Sequence, residues 1–360
     1  MNTRLKIGIL SIIALISGVV STATAQSSGY RVSAPYTYKN LTIFLIHGKD
    51  ESKKTNMMTL QEAMERKLFR VYETSEVNEL EVENLSKEQD VFIQSGDIVK
   101  GGKQDRVLAL DMIVPSRSGR IPIDSFCVEH GRWQQRGGEA AAAFGSSDQM
   151  LNHKDLKIAA KSAKSQTEVW DKVAESQAKL SKNVAVAASP AAGAGGGFGS
   201  GSAGGVAETV NVTSSVSRSS LQLTLENKQV KDTSGEYIKA LAAIVAGKND
   251  VIGYAFAING QINSADVYSS HALFAKLWSK MLKASAIEAI AEFDKSDKVE
   301  TVTADAIKGF LAEAETGKAE AKQLTPRMTM VKSESEKNLF FETRDRKRGD
   351  EWLHRNYLKK

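Results

Sequence analysis

The chain has 360 residues, 48 of them Lys or Arg and 43 Asp or Glu, with 41% hydrophobic residues, five prolines and one cysteine. That length supports one or two ordinary cores, and 7% aromatic with 25% charged residues excludes wholesale disorder. The lone Cys127 excludes a disulfide scaffold, and no apolar run after residue 25 approaches the roughly 20 residues needed to span a bilayer.

The N-terminus has the three parts of a secretory signal. Arg4 and Lys6 form a positive start, 7–20 is apolar, and Ala23-Thr24-Ala25 is a small-x-small cleavage site. The expectation is a signal over 1–25 and a periplasmic or secreted protein beginning at Gln26. Without Arg4 and Lys6 the net charge of +5 falls to about +3. The last twenty residues alone hold seven Lys or Arg against four Asp or Glu, so the remainder is close to neutral. Nucleic acid is therefore not the expected partner, because a phosphate track needs clustered cations. The run from Arg344 to Arg348 reads as a solvated charged tail.

From 38 to 129 the pattern is mostly strand. The apolar run 41–46 has strand length. Thr59-Leu-Gln-Glu62 is a capping box that starts a helix over 60–67. Strands follow at 69–74, 80–85 and 90–94, then at 107–114 and 120–129, the last two joined by the turn residues of 115–119. A helix is expected over 166–181, where Val169, Trp170, Val173 and Leu180 recur at helical spacing.

Residues 184–207 are rich in Ala, Gly and Ser. Within them Gly199, Gly201 and Gly204 spell G-x-G-x-x-G, but inside low-complexity sequence this reads as a flexible insertion, not a dinucleotide loop. A helix over 236–246 follows, with Gly247 as its C-terminal cap. The clearest hairpin joins 251–258 to 261–267 through Asn259-Gly260, whose residues suit the positive φ of a type I′ turn. Ser269 or Ser270 caps a helix carrying Leu273, Leu277, Trp278, Met281, Leu282 and Ile290. A helix over 304–315 and strands at 327–333 and 339–343 complete the reading.

The densest polar cluster runs from Ser95 to Trp133. The stretch from Gly96 to Arg106 fails as a phosphate loop: the position five before Gly102, the glycine that precedes Lys103, is Asp97, and Gln104, not Ser or Thr, follows Lys103. It reads as a Gly-rich turn between strands. Cys127, Glu129 and His130 invite a nucleophile reading, with Asp105 as a further acid or base. Period-two geometry sends Cys127 and His130 to opposite faces unless the strand ends near Glu129. The histidines His47, His130, His153, His271 and His354 show no metal spacing, so neither metal nor cofactor is expected.

These segments resemble a family. Tyr38-Lys-Asn-Leu-Thr42, Thr59-Leu-Gln-Glu-Ala63, Gly96 to Arg106, Ile121-Pro122 to Cys127-Val-Glu129 and Gly131-Arg-Trp133 are similar to the ARG and rhodanese-phosphatase-superfamily-associated protein domain. Val251-Ile-Gly-Tyr254, Asn259-Gly260 and the helix from Asp266 to Ser285 share the resemblance, which spans most of 38–358. It implies one folded unit and an association with ADP-ribosyl-handling and phosphatase-like proteins, without a defined activity. The chain departs from the family pattern at Asp105, where Asn is usual.

The expected architecture is therefore α+β: a strand-rich, mixed or antiparallel N-terminal half packed with helices, then a hairpin and helix. Residues 30–183 and 208–333 form two parts of one domain interrupted by 184–207, and 334–360 is a charged C-terminal segment. The leading functional expectation is an envelope module that binds an anionic or sugar-like small molecule. Its cleft would be lined by Lys103, Gln104, Arg106, Glu129, Arg132 and Trp133, which offer forked donors, an amide and a stacking face. The alternatives are a hydrolase or transferase using Glu129 or Asp105 with Cys127 or His130, and a structural or protein-interaction component using the Trp278 helix or the basic tail.

Overall fold

The computed structural model describes residues 29–50, 57–74, 76–132, 136, 143–189, 209–294 and 301–360. The expected signal, most of the expected insertion and Trp133 lie outside them. The fold is α+β, built on three sheets in which one strand pair, Met58–Thr59 with Val91–Ile93, is parallel and the other described pairs are antiparallel.

The largest sheet grows from the Asn-Gly hairpin. Val251–Ile258 and Gln261–Tyr268 pair across Asn259 (φ 52°) and Gly260 (φ 73°), both left-handed as a type I′ turn requires. Leu41–His47 joins one side of the hairpin, so chain from before and after the glycine-rich run meets in one sheet. On the other side come Glu351–Lys359, Asn338–Asp345, Met328–Glu334 and the edge strand Lys318–Gln323.

Side-chain alternation explains why Leu41–His47 is buried throughout. Leu41, Ile43 and Leu45 join Tyr254 and Phe256 on one face, whereas Phe44 and Ile46 join Ala255, Val267 and Tyr357 on the other. The first face is covered by helices α3 (Gln166–Ala188), α5 (Lys228–Leu241) and α6 (His271–Ala291), the second by α7 (Ala304–Glu315). Of the remaining helices, α1 (Leu60–Glu65) starts at the expected capping box, while α2 (Lys154–Ile158) and α4 (Leu221–Leu225) are short. A six-stranded sheet runs in the order Phe144–Met150, Asp97–Gly101, Arg106–Leu108, Arg120–Cys127, Glu79–Asn84, Phe69–Glu73, and Met112–Val114 closes the small sheet.

Several elements differ from the sequence reading. The expected strand over 107–114 is two strands in different sheets, because Asp111 turns its carboxylate to Ser95 N, Thr343 and His354 and breaks the run. The expected turn after Gly96 contains a strand, Asp97–Gly101. Arg120–Cys127 ends before Glu129. Helix α3 extends to Ala188, into the expected insertion, and α5 begins at Lys228 with a 3-10 turn, Ala242–Val245, before Gly247 (φ 70°). The charged tail contributes two sheet strands, which bury Leu339, Phe341, Leu353 and Leu358.

Candidate functional site

The expected loops do converge. Asp105 precedes the strand Arg106–Leu108 and Glu129 follows its neighbour Arg120–Cys127, so strand pairing brings the two carboxylates together. Val128 N–H donates to Asp105 O (3.1 Å) and Asp105 N–H to Glu129 Oε2 (3.3 Å). Gln104 Nε2 donates to Glu129 O at 2.9 Å.

What they form is a packed ionic network. Asp105 and Glu129 are both 0% exposed. Arg136 grips Asp105 with two nitrogens (2.7 and 3.2 Å), Ser220 Oγ and Gly101 N–H also donate to it, and Arg132 Nε donates to Glu129 at 2.7 Å. Burial pushes the Asp105 carboxyl up against the pull of Arg136. Burial also acts upward on Glu129, but its bonds to Arg132 and Ser217 outweigh this and hold it below the usual range. Arg106 is buried too, donating to Val77 O and the Cys127 sulfur and facing Glu73 at 3.6 Å. Burial drives the Cys127 thiol up to about 11, with Arg106 opposing, so it is a poor nucleophile.

Two candidates stand apart. Lys103 is exposed and reaches the cluster only through its backbone N–H to Glu73. His130 is exposed, its backbone tied to Ser219 and its ring edge-on to Trp170. Of the proposed interaction features, Trp278 is core, its Nε1–H donating to Ala242 O.

An open polar cleft of about 230 Å³ lies elsewhere, where the hairpin turn meets the C-terminal end of α6, the start of α2 and the middle of α3. His153 caps α2: Asp155 N–H donates to its Nδ1 (3.3 Å), which leaves Nε2–H to face Glu292 Oε1 at 2.6 Å. Protonation of Nδ1 exchanges that cap for the Asp155 carboxylate, 4.0 Å away. Burial acts downward on the imidazole, and the Glu292 bond outweighs it, so His153 stands above its ordinary value. Lys179 Nζ also reaches Glu292 (2.7 Å). The His153 bond, helped by Lys179 and opposed by burial, lowers Glu292 to about 2, keeping it ionised.

Glu288, one helical turn before Glu292, is 1% exposed. Its Oε1 accepts from Lys154 N–H and Asn263 Nδ2, each at 2.9 Å, while its Oε2 and Asn263 Oδ1 have no hydrogen-bond partner among the described residues. Leaving a buried acceptor unsatisfied costs about 1–3 kcal/mol. Sequence reading passed over these residues, although one signal was present: an acidic residue inside Ala286-Ile-Glu-Ala-Ile290, on a helix stretch otherwise apolar.

A third cluster is fully enclosed. His354 bridges Asp111 and Asp266 beside Lys161, which sits on a π-helical turn, Ala159–Ala163, against the Phe341 ring. The adjoining cavity, about 10 Å³, is the size of one water and holds no substrate. Among the described residues no group of three or more His, Cys, Asp or Glu is placed to hold a metal ion, and no helix is long and apolar enough to cross a membrane.

The family model of the ARG and Rhodanese-Phosphatase-superfamily-associated Protein domain (ARPP-1) matches residues 29–358. No curated protein and no solved structure matches the chain. The match takes in all three sheets and the cleft between hairpin and α6, and the chain belongs to the ARPP-1 family.

Proposed function

We propose that this protein is an exported module that binds a small, sugar-like polar molecule in the cleft between the hairpin turn and α6. The observation that carries the reading is the cleft's lining. It combines the amides Asn259, Gln261 and Asn263 with three acidic side chains, Asp155, Glu288 and Glu292, and three basic ones, His153, Lys154 and Lys179. Balanced charge gives a simple anion little advantage, whereas alternating donors and acceptors match a row of hydroxyls. The buried Asp105–Arg136 and Glu129–Arg132 pairs act in this reading as the scaffold of the six-stranded sheet, not as ligand contacts.

Calorimetric titration of the full chain with a panel of neutral hexoses, pentoses, polyols and their amino counterparts tests this. The expected result is saturable one-to-one binding that weakens about tenfold in Gln261→Ala and Lys154→Ala. Absence of binding across the whole panel overturns the reading.

A further inference from the structure

The cleft is chemically lopsided, and its polarity bears on the ligand class. Its wall holds two acceptors without partners among the described residues, Glu288 Oε2 and Asn263 Oδ1, on residues that are 1% and 8% exposed. Its outer part holds paired charges and one spare cation: Glu292 is shared between His153 and Lys179, Lys179 also pairs with Glu175 at 3.0 Å, and the Lys154 ammonium has no ion pair among the described residues. The bonds that Glu288 does receive, from Lys154 N–H and Asn263 Nδ2, both reach Oε1, so Oε2 is left for a further donor.

We propose that the ligand carries a primary ammonium group, seated against Glu288 Oε2 and Asn263 Oδ1, with its hydroxyls toward Lys154 and Lys179. An amine-bearing polyol, of which an amino sugar is the plainest case, satisfies both ends. An ammonium supplies several N–H donors and the opposite charge, where a hydroxyl supplies one donor and none. Neither acceptor reaches solvent in this arrangement. The terminal torsion of a glutamate is broad, so the carboxylate can turn to meet a donor that enters the cleft. A bare metal ion fits less well, because among the described residues no three His, Cys, Asp or Glu side chains are grouped to hold one and two lysines stand nearby.

This inference rests on the sugar-like reading, and the experiment separates the two. Glucose, galactose and mannose are each titrated beside their 2-amino and 2-acetamido counterparts, with the full chain and with Glu288→Gln. The amino member of at least one set should bind about tenfold or more tighter than its neutral partner. Acetylation, which removes the charge, should abolish the gain, as should Glu288→Gln. Equal affinities within every set, or an amino preference that survives acetylation, overturn the ammonium assignment and leave the sugar-like reading standing. A preference that persists in folded Glu288→Gln places the ammonium elsewhere and also overturns it. No binding by any of the nine compounds removes this assignment, and no binding across the wider panel, amino members included, removes the underlying reading with it. The acetamido comparison needs no variant, so a Glu288→Gln chain that fails to fold still leaves a decisive result.

Discussion

His354 Nδ1 lies 2.7 Å from Asp111 Oδ2, a contact between residues 243 positions apart in the chain. The other ring nitrogen lies 3.0 Å from Asp266 Oδ1, so the imidazole is clasped between two carboxylates and can donate to both only when protonated. Thr343 Oγ1 and Ser95 N–H complete the bonds to Asp111, and Asn356 Nδ2 those to Asp266. The clasp thereby ties the segment entering the small sheet to two adjacent strands of the large one.

Stability should therefore fall on the alkaline side. Burial acts downward on His354, but Asp111 and Asp266 outweigh it and hold the ring above its ordinary 6.5. A raised folded value means that the contribution is complete below about 6.5 and is lost as the pH climbs through the folded value. Burial acts upward on Asp111 and Asp266, and His354 outweighs it, so their contribution is present at neutral pH and lost in acid. Lys161 and Lys157 also face the cluster; burial lowers Lys161, which works in the opposite sense at high pH. Urea unfolding should show a lower midpoint at pH 9 than at pH 6. His354→Gln should cost about 3–5 kcal/mol at pH 6 and remove its share of the slope, and a slope unchanged by it would exclude the clasp as the cause.

Local signals made some of this readable and remote ones did not. Asn259-Gly260 and the Thr59–Glu62 capping box are decided within four residues, and both form as read. The break at Asp111 depends on Thr343 and His354, whose identities say nothing until the sheets are assembled. The same holds for Glu351–Lys359, where His354 and Asn356 look like surface residues and are buried because Asp266 receives them. Proximity of Asp105 to Glu129 was legible from strand spacing. Its closure into a packed network was not, since Arg136 and Ser220 come from outside the motif.

Cys127 should be chemically silent in the native chain. Its thiol is 0% exposed and pushed up to about 11 by burial, so little thiolate exists at pH 8. Alkylation by iodoacetamide should be on the order of a hundredfold slower in the folded protein than in urea. Rapid stoichiometric labelling of the folded chain would restore the nucleophile reading.

The Asp105–Arg136 pair should show strong coupling. Arg136→Ala leaves a 0% exposed carboxylate without its two-nitrogen partner and should cost about 3–5 kcal/mol, partly relieved if Asp105 takes up a proton. Asp105→Asn, which keeps acceptor geometry and removes the charge, should cost less. The double variant should be more stable than the sum of the two losses predicts. Additive losses in denaturant titrations would mean that the two side chains do not depend on each other.

Gly253 should tolerate no side chain. It lies in the strand Val251–Ile258 where the pairing with Leu41–His47 shifts register, and a Cβ there would stand 2.4 Å from Asp266 O and 2.8 Å from Val267 Cα. Both obstacles are on the backbone of the neighbouring strand, so Gly253→Ala must push that strand away, at a cost of about 1–3 kcal/mol or more. The strand displaced carries Asp266, whose carboxylate holds His354, so the damage should reach the clasp. Gly253→Ala combined with His354→Gln should therefore lose less stability than the two separate losses added together, and Gly253→Ala alone should flatten the fall between pH 6 and pH 9. Full additivity, with the pH slope of Gly253→Ala unchanged, would show that the strand yields at Gly253 without carrying Asp266 with it.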